Sequence, residues 1–204
     1  MTNRVILTPR NECVDHINKI LLEQISGQIF TYYSFDETID KSEQSFEEDF
    51  LNRLTSNGIP PHELNLKINC PVMLLRNINP SEGLCNGTQL TLILWKVCFF
   101  FFLPRIPFIP PQSDQTSIPF KRTQFSIRPC FAMTINKAQG QTLDFVDLYL
   151  PEPVYCHGQL YVALSIAKIS KSLKVLLNSS IAETSHITCT KNIVYKEILS
   201  FINQ

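Results

Sequence analysis

The hydrophobic pattern begins with a short strand that leads directly into an amphipathic helix. Residues 4–7 place three aliphatic side chains after an arginine and predict a strand. Thr8 is a candidate helix cap, and Pro9 suits the first helical position. The apolar residues that follow recur at helical spacing until Gly27, namely Val14, Ile17, Leu21, Leu22 and Ile25. A strand followed by such a helix is typical of an α/β unit.

The middle of the chain changes to short apolar runs separated by turn signals. Residues 29–34, 72–75 and 88–94 predict strands, and Asn79-Pro80 and Asn86-Gly87 predict turns between them. Residues 35–38 are interpreted as part of an acidic loop, and residues 45–54 as a short amphipathic helix. The apolar run at residues 90–103 contains Lys96 and is too short to span a bilayer of about 30 Å, so we expect barrel strands and no membrane partner.

The segment with the most candidate chemistry is residues 131–150. An apolar run at 131–135 leads into a polar loop at 136–142, and a second apolar run at 145–150 stops at Pro151. Lys137, the amides and hydroxyls beside it, and the freedom of the Gly140 backbone suit phosphate oxygens. An ordinary turn explains the same residues, and the spacing alone favours the turn. Residues 157–168 and 193–202 predict helices, and residues 173–177 predict a last strand.

Four sequence blocks, in this order, resemble the Pif-type DNA helicases, the petite integration frequency family that includes versions carried by helitron transposons. LTPRNECVDHIN at residues 7–18 resembles the fourth motif of the family, and LKINCPVMLLRNINPSEGLCNGTQL at 66–90 resembles the start of its inserted barrel. TINKAQGQTL at 134–143 and PVYCHGQLYVALS at 153–165 resemble its fifth and sixth motifs. The resemblance covers about two thirds of the chain.

The resemblance implies an α/β fold, a RecA-like second helicase motor domain with an inserted small β-barrel of the Src-homology-three type. Residues 1–65 and 128–190 would form the motor domain, residues 66–127 the barrel, and residues 191–204 a C-terminal helix or tail. KVCFFFFLPRIPF replaces the longer polar hairpin of the family, so the barrel is expected to be truncated. Asn69 stands where the family usually has glycine.

The resemblance also implies two sets of binding residues and no catalytic ones. The nucleotide-facing set is Arg10, Asn11, Gln139, Gly140, Gln141 and Ser165. The DNA-binding set is Thr134, Asn136, Lys137, Arg76, Lys121 and Arg122, with tyrosine or phenylalanine faces in the barrel as stacking platforms for bases. Helix-start polarity explains Arg10 and Asn11 equally well, and solubility explains any single surface base better. The interpretation requires Lys137 and Gly140 to be exposed, near Arg10 and the helix that precedes Ile166.

The chain lacks the residues that ATP hydrolysis needs in this class. A phosphate loop reads GxxxxGK[ST], and this sequence contains no Gly-Lys dipeptide. ATP and Mg²⁺ are therefore expected only if a first motor domain is supplied. The sixth motif of the family reads VALSR, whereas Ile166 follows VALS here and no arginine occurs after Arg128. Lys168 is a point charge rather than a fork and is a poor substitute.

Composition places the chain among ordinary globular proteins. The net charge is zero, but residues 36–49 hold seven acids and one lysine, which leaves 17 bases and 11 acids elsewhere. The seven cysteines are scattered and never spaced as CxxC, so we expect reduced, mostly buried thiols and no metal site.

The first functional hypothesis is a C-terminal fragment of an ATP-dependent DNA helicase. The family implies DNA unwinding in repair, recombination and telomere maintenance, inside the cell and in the nucleus, with single-stranded or forked DNA as the partner. The alternative is a non-catalytic module that binds single-stranded DNA or docks on a complete helicase or a first motor domain. A third possibility is a chain that never forms a folded product, given the four consecutive phenylalanines at 99–102. Co-purification of DNA or of a helicase would favour the second hypothesis. An upstream exon that encodes GxxxxGK[ST] in the same transcript would favour the first.

Overall fold

A computed structural model describes residues 4–39, 48–56, 58–93, 103–110, 119–178 and 190–195 in two compact units. The first unit combines Met1–Leu21 with Phe131–Gln204, and the second is Leu22–Cys130. The strands are β1 (Arg4–Thr8), β2 (Phe30–Tyr33), β3 (Phe35–Thr38), β4 (Glu63–Leu66), β5 (Pro71–Leu74), β6 (Gln89–Thr91), β7 (Arg105–Phe108), β8 (Phe120–Phe125), β9 (Ile127–Pro129), β10 (Ala132–Thr134), β11 (Phe145–Leu150) and β12 (Leu173–Leu177). The α-helices are α1 (Asn11–Gln24), α2 (Glu48–Arg53), α3 (Ile135–Ala138) and α4 (Gln159–Ser165).

The first unit is built on a parallel sheet in which the N-terminal strand is central. The strand order is β10-β1-β11-β12, and β1 pairs with β10 on one side and β11 on the other. Both partners of β1 come from residues after 130, so the sheet joins the two ends of the described chain. The strand interiors are aliphatic and almost fully buried, as at Leu7, Val146 and Leu148. Such a sheet with helical connections is the α/β arrangement that the hydrophobic pattern predicts.

Helix α1 begins later than predicted. Thr8 is the last residue of β1 and is fully buried, so it is not a helix cap, and the helix begins at Asn11 rather than at Pro9. The buried stripe of the helix includes one amide, Asn18. Its Oδ1 accepts hydrogen bonds from the backbone N–H groups of Phe131 and Ala132, and its Nδ2 donates to the Ala132 carbonyl. Asn18 therefore joins α1 to the beginning of β10.

Replacing Asn18 with alanine is expected to lower the free energy of unfolding by about 2–3 kcal/mol, because two buried backbone N–H groups lose their acceptor. Urea titration followed by circular dichroism measures the change. Lys19→Ala, at the exposed neighbouring position on the same helix, is the matched control and should change stability by less than about 0.5 kcal/mol. Equal losses from the two variants would show that the amide does not hold the strand.

The second unit consists of short antiparallel sheets, as expected for a small barrel. β5 pairs with β6 and β9, β8 pairs with β3 and β7, and β2 pairs with β4. The predicted strands at 29–34 and 72–75 are present as β2 and β5. Asn69 has a φ of 65°, and it is the non-glycine residue with a left-handed backbone in the described chain. Glycine and asparagine are the residues that adopt this conformation most readily, so Asn69 suits its position.

The division into units differs from the predicted domain boundaries. Residues 22–65 were assigned to the motor domain, but β3 pairs with β8, so this segment packs with the strands of the predicted barrel. The predicted return to the motor domain at residue 128 falls inside β9, which pairs with β5, and the second unit continues to Cys130. The barrel block at residue 66 is thus preceded by strands that belong to the same unit.

Residues 35–38 form strand β3 rather than part of an acidic loop. Asp36 is buried and lies directly opposite Arg122 across the β3–β8 pair. The two side chains form a bidentate ion pair, with Nε and Nη2 of Arg122 each within 3.0 Å of a carboxylate oxygen. The guanidinium also donates to four backbone carbonyls near the end of α2 and before β4, those of Leu51, Asn52, Leu54 and Pro60. Arg122 therefore connects β3 and β8 to α2 and to the segment between α2 and β4.

The remaining helix predictions are partly met. In α2 (Glu48–Arg53), which lies within the predicted helix at 45–54, Leu51 is buried and Phe50 is exposed. The helix predicted at 157–168 is present as α4, in which Ala163 is buried and Leu164 is exposed. Phe46, the phenylalanine run at 99–102 and residues 196–202 of the predicted last helix lie outside the described residues. In the part of the chain that the structure describes, no helix is long and apolar enough to cross a bilayer.

Two of the five described cysteines are buried, Cys70 and Cys130, and the others are half-buried. Burial raises the pKa of the Cys70 thiol, which keeps it protonated and unreactive at neutral pH. The prediction of mostly buried thiols therefore holds for two of the described five.

Candidate functional site

The polar residues predicted to bind phosphate follow strand β10 at the carboxyl end of the parallel sheet. Residues 135–138 form a single helical turn, α3, where the hydrophobic pattern predicted the end of a strand and a loop. Ile135 and Ala138 are fully buried and anchor the turn, whereas Asn136 and Lys137 between them are exposed. The alternation of buried and exposed residues over one turn thus presents an amide and an ammonium group to solvent.

Gly140 follows this turn with a left-handed backbone. Its φ is 81°, and a Cβ built at this position meets nothing within 4 Å. The glycine is therefore required by its backbone conformation rather than by a crowded neighbour. Gln139 and Gly140 are exposed, and Gln141 is half-buried. The requirement that Lys137 and Gly140 lie at the surface is met, and α3 packs against β1 and α4.

Thr134 differs from its two neighbours in the predicted DNA-binding set. It ends β10 opposite Thr8 of β1, and its side chain is only 7% exposed. Among the predicted contacts on this turn, Asn136 and Lys137 are the ones that present their side chains to solvent.

Arg10 and Asn11 lie at the same end of the sheet, after β1. The Arg10 guanidinium is 2.7 Å from the Glu152 carboxylate on the connection that follows β11. Tyr155 on the same connection donates a hydrogen bond of 3.3 Å to the Pro9 carbonyl. Both side chains of the Arg10–Glu152 pair are more than half exposed, so the pair contributes at most about 1 kcal/mol to stability. The Arg10 guanidinium is thus paired at the surface with a carboxylate that another anion could replace.

Ser165 and Ile166 lie at the other end of the sheet. The Ile166 carbonyl accepts a hydrogen bond from the Leu143 N–H, just before β11 begins. β11 begins beside Arg4, the first residue of β1, whereas Arg10 comes after the last residue of β1. The predicted nucleotide-facing set is therefore divided between the two ends of the sheet. Arg10 and Asn11 are at the carboxyl end, and Ser165 is at the amino end.

Ile166 occupies a buried position. Its side chain is 2% exposed and follows the last turn of α4. Lys168, the nearest cation along the chain, lies beyond the helix and pairs with Asp144 at 2.5 Å. The Lys168 ammonium group is therefore engaged within this unit.

The three predicted DNA-binding cations of the second unit have different environments. Arg122 is 1% exposed and spends its N–H groups on Asp36 and backbone carbonyls, so its assignment to a DNA backbone is wrong. Lys121, its neighbour on β8, forms an ion pair with Glu37. Arg76 is exposed and lies 5.3 Å from the centre of the Phe108 ring. Of the three, Arg76 has the surface position that DNA requires.

The sequence analysis did not single out two residues that make specific contacts in the structure, Asn18 and Arg105. Asn18 was detectable as a polar residue in the buried stripe of α1, four positions after Val14. Arg105 is exposed and stacks over Phe125 at 5.0 Å, and only the fold brings these two residues together, because they pair across β7 and β8.

Comparison with known proteins gives a family match within the second unit and several related helicases. The family described as DNA helicase Pif1, 2B domain, matches residues 49–94, which include all but the first residue of α2 and strands β4 to β6. The ATP-dependent DNA helicase PIF1 of Homo sapiens is 33% identical over 170 residues, covering 78% of this chain and 25% of the human protein. PIF1 of Xenopus laevis is 27% identical over 83% of this chain and 27% of the frog protein.

This chain belongs to the Pif-type DNA helicases. The crystal structure of the Pif1 helicase from Candida albicans superposes with a TM-score of 0.71 at 22% identity, covering 100% of this chain and 49% of the fungal one. Bacteroides Pif1 bound to single-stranded DNA gives a TM-score of 0.63 at 20% identity, covering 98% of this chain and 45% of the bacterial one. The chain spans about a quarter of the length of its curated Pif-type relatives and about half of the solved chains.

These likenesses confirm the predicted fold class. The parallel sheet is the RecA-like part and the small antiparallel sheets are the inserted barrel, as in Pif1 helicases. The 2B match begins at residue 49, well before residue 66. This start agrees with the position of α2 in the second unit.

Proposed function

We propose that this chain is the C-terminal part of an ATP-dependent DNA helicase and that, by itself, it binds single-stranded DNA without hydrolysing ATP. The observation that carries the proposal is the exposed turn of Asn136, Lys137, Gln139 and Gly140 at the carboxyl end of the parallel sheet. Residues 135–142 contain no acid, so nothing on this turn repels a phosphate. Ligands of open α/β sheets bind at this end of the strands.

The relatives support DNA as the ligand. Bacteroides Pif1 has been solved bound to single-stranded DNA, and another Pif1 structure concerns unwinding at forked double-stranded DNA. Binding through one lysine and several amides is expected to be weak and dependent on salt. Forked DNA and a complete helicase or first motor domain are the further partners we propose.

We propose that the described residues of this chain do not by themselves form a site for ATP and Mg²⁺. The sequence contains no phosphate-loop lysine, and the predicted nucleotide-facing residues are divided between the two ends of the sheet. Position 166 holds isoleucine in place of the arginine that stabilises the transferring phosphoryl group in this class. We therefore propose ATP and Mg²⁺ as ligands only when a first motor domain supplies the phosphate loop.

The expected setting is intracellular and nuclear, in repair, recombination or telomere maintenance. Kinship with the Pif-type helicases is the support for this part of the proposal.

The turn is tested with Lys137→Ala and fluorescently labelled oligo-dT. Anisotropy titrations at several salt concentrations should give weaker binding for the variant and a slope of log affinity against log salt that is smaller by about 1, since one phosphate contact is lost. Lys171→Ala is the matched control, because Lys171 is an exposed lysine elsewhere in the same unit. We expect it to bind like the unaltered chain.

Three outcomes count against this proposal. Absence of binding at low salt would remove DNA as a ligand of the isolated chain. Equal effects of Lys137→Ala and Lys171→Ala would remove the turn as the contact. Turnover of ATP by the isolated chain would contradict the missing phosphate loop. A chain that binds no DNA but co-elutes with a complete Pif-type helicase would instead support the docking alternative.

A further inference from the structure

An open pocket in the second unit lies between the β2–β4 pair and the β6-β5-β9 sheet. Its volume is about 360 Å³, and its lining includes three aromatic side chains, Phe30 and Tyr32 of β2 and Phe125 of β8. Phe125 and Tyr32 meet edge to face at 5.3 Å, and Phe30 is 37% exposed. The pocket therefore has a fixed aromatic wall and an accessible aromatic edge.

The described lining contains one charged residue, a lysine, and no acid. This lysine, Lys67, is 6% exposed, and its ammonium group donates to the Glu23 and Ile25 carbonyls at 3.1 and 2.6 Å. It is thus fixed in place and adds positive charge beside an otherwise apolar surface. A neutral, flat and aromatic group is the kind of ligand that this lining accommodates.

A second cation lies next to the same wall. The exposed Arg105 guanidinium is 5.0 Å from the centre of the Phe125 ring, and its Nη1 donates to the Tyr33 carbonyl at 2.8 Å. One hydrogen bond uses one of the five N–H groups of a guanidinium. The carbonyl and the ring together hold Arg105 beside the pocket, where its remaining N–H groups can meet an anion.

We propose that this pocket binds one unstacked base of single-stranded DNA, with Arg105 against an adjacent phosphate. Aromatic faces bind bases without regard to sequence, and a nucleotide joins a flat apolar ring to an anion in the same arrangement as the pocket and its arginine. The volume is at the small end of ligand pockets, which suits a single base. The proposal rests on the proposed function, because it requires the chain to bind single-stranded DNA.

The test compares oligo-dT with an abasic oligonucleotide of the same length at one salt concentration. The two probes share their phosphates and differ in their bases. The unaltered chain should bind oligo-dT about tenfold tighter, as expected for one stacked base. Phe30→Ala and Phe30→Leu should both abolish this preference, and the leucine variant keeps an apolar side chain in case alanine disturbs folding. Tyr33→Ala is the matched control, since Tyr33 lies on the same strand and is not part of the pocket.

A third variant tests the phosphate contact. Arg105→Gln should lower the affinity for both probes and reduce the salt slope by about 1. An unchanged slope would remove Arg105 from the proposal.

Failure of this proposal is separable from failure of the proposed function. If both probes bind equally well and Lys137→Ala still weakens both, the pocket takes no base and the turn remains the DNA contact. If neither probe binds, the proposed function itself fails. If Phe30→Ala leaves the preference for oligo-dT intact but changes the sedimentation of the chain, the pocket is a protein interface and the base proposal is overturned.

Discussion

Replacing Arg122 with methionine is expected to lower the free energy of unfolding by about 3–5 kcal/mol, because it leaves the buried Asp36 carboxylate without its counter-ion. It also removes the guanidinium donor from four backbone carbonyls, one of which, that of Leu51, keeps the Leu54 N–H as a donor. For a domain whose total stability is about 5–15 kcal/mol, such a loss approaches unfolding. Urea titration followed by circular dichroism measures it.

The source of the loss can be separated from a general effect of the mutation. Adding Asp36→Asn to Arg122→Met removes the unpaired charge, so the double variant should be more stable than Arg122→Met alone. Lys121→Ala is the matched control on the same strand, because the Lys121–Glu37 pair is partly exposed and is expected to contribute at most about 1 kcal/mol. A control as unstable as Arg122→Met would show that β8 tolerates no substitution, whatever the charge.

Placing arginine at position 166 is expected to raise ATP hydrolysis by about 10³-fold in a complete helicase. The comparison requires a chimera in which this chain follows the first motor domain of a Pif-type helicase, with Ile166 or with Ile166→Arg. The gain comes from a guanidinium that stabilises the charge on the transferring phosphoryl group. A phosphate-release assay at saturating ATP and single-stranded DNA measures the rate.

The buried position of Ile166 sets the controls for this experiment. The side chain is 2% exposed, so arginine must turn outward to reach a nucleotide, and the substitution is expected to cost about 1–3 kcal/mol of stability. Rates are therefore compared per folded molecule. Ile166→Lys carries the same charge without the fork and should recover far less activity. Equal rates with isoleucine and arginine would show that another residue occupies the catalytic position.

The fold could be predicted where the hydrophobic period alone determines the element. Strands β1, β5, β11 and β12 are short apolar runs, and each was found within about one or two residues of its predicted bounds. β3 was missed because Asp36 resembles a solvated acid until its partner is known. That partner, Arg122, is 86 residues away, and no local pattern reveals such a pair.

The candidate site could be predicted only where its residues belong to one continuous motif. Lys137 and Gly140 belong to one continuous motif, so their common exposure followed from a few neighbouring residues. Ser165 and Arg10 come from separate motifs, and the register of a parallel sheet decides that they lie at opposite ends. Arg122 was predicted as a surface base because a lone arginine next to a lysine carries no sign of burial.

The central place of β1 in its sheet affects how the protein is made. On the ribosome, β1 emerges more than 120 residues before β10 and β11, the strands that pair with its two edges. The unit formed by Leu22–Cys130 is synthesised by then and can fold, while β1 still lacks both of its partner strands. Pairing across the long loop between β1 and β10 is slow, so the apolar side chains of β1 stay exposed during this time. We expect chaperones to bind β1 before the sheet forms.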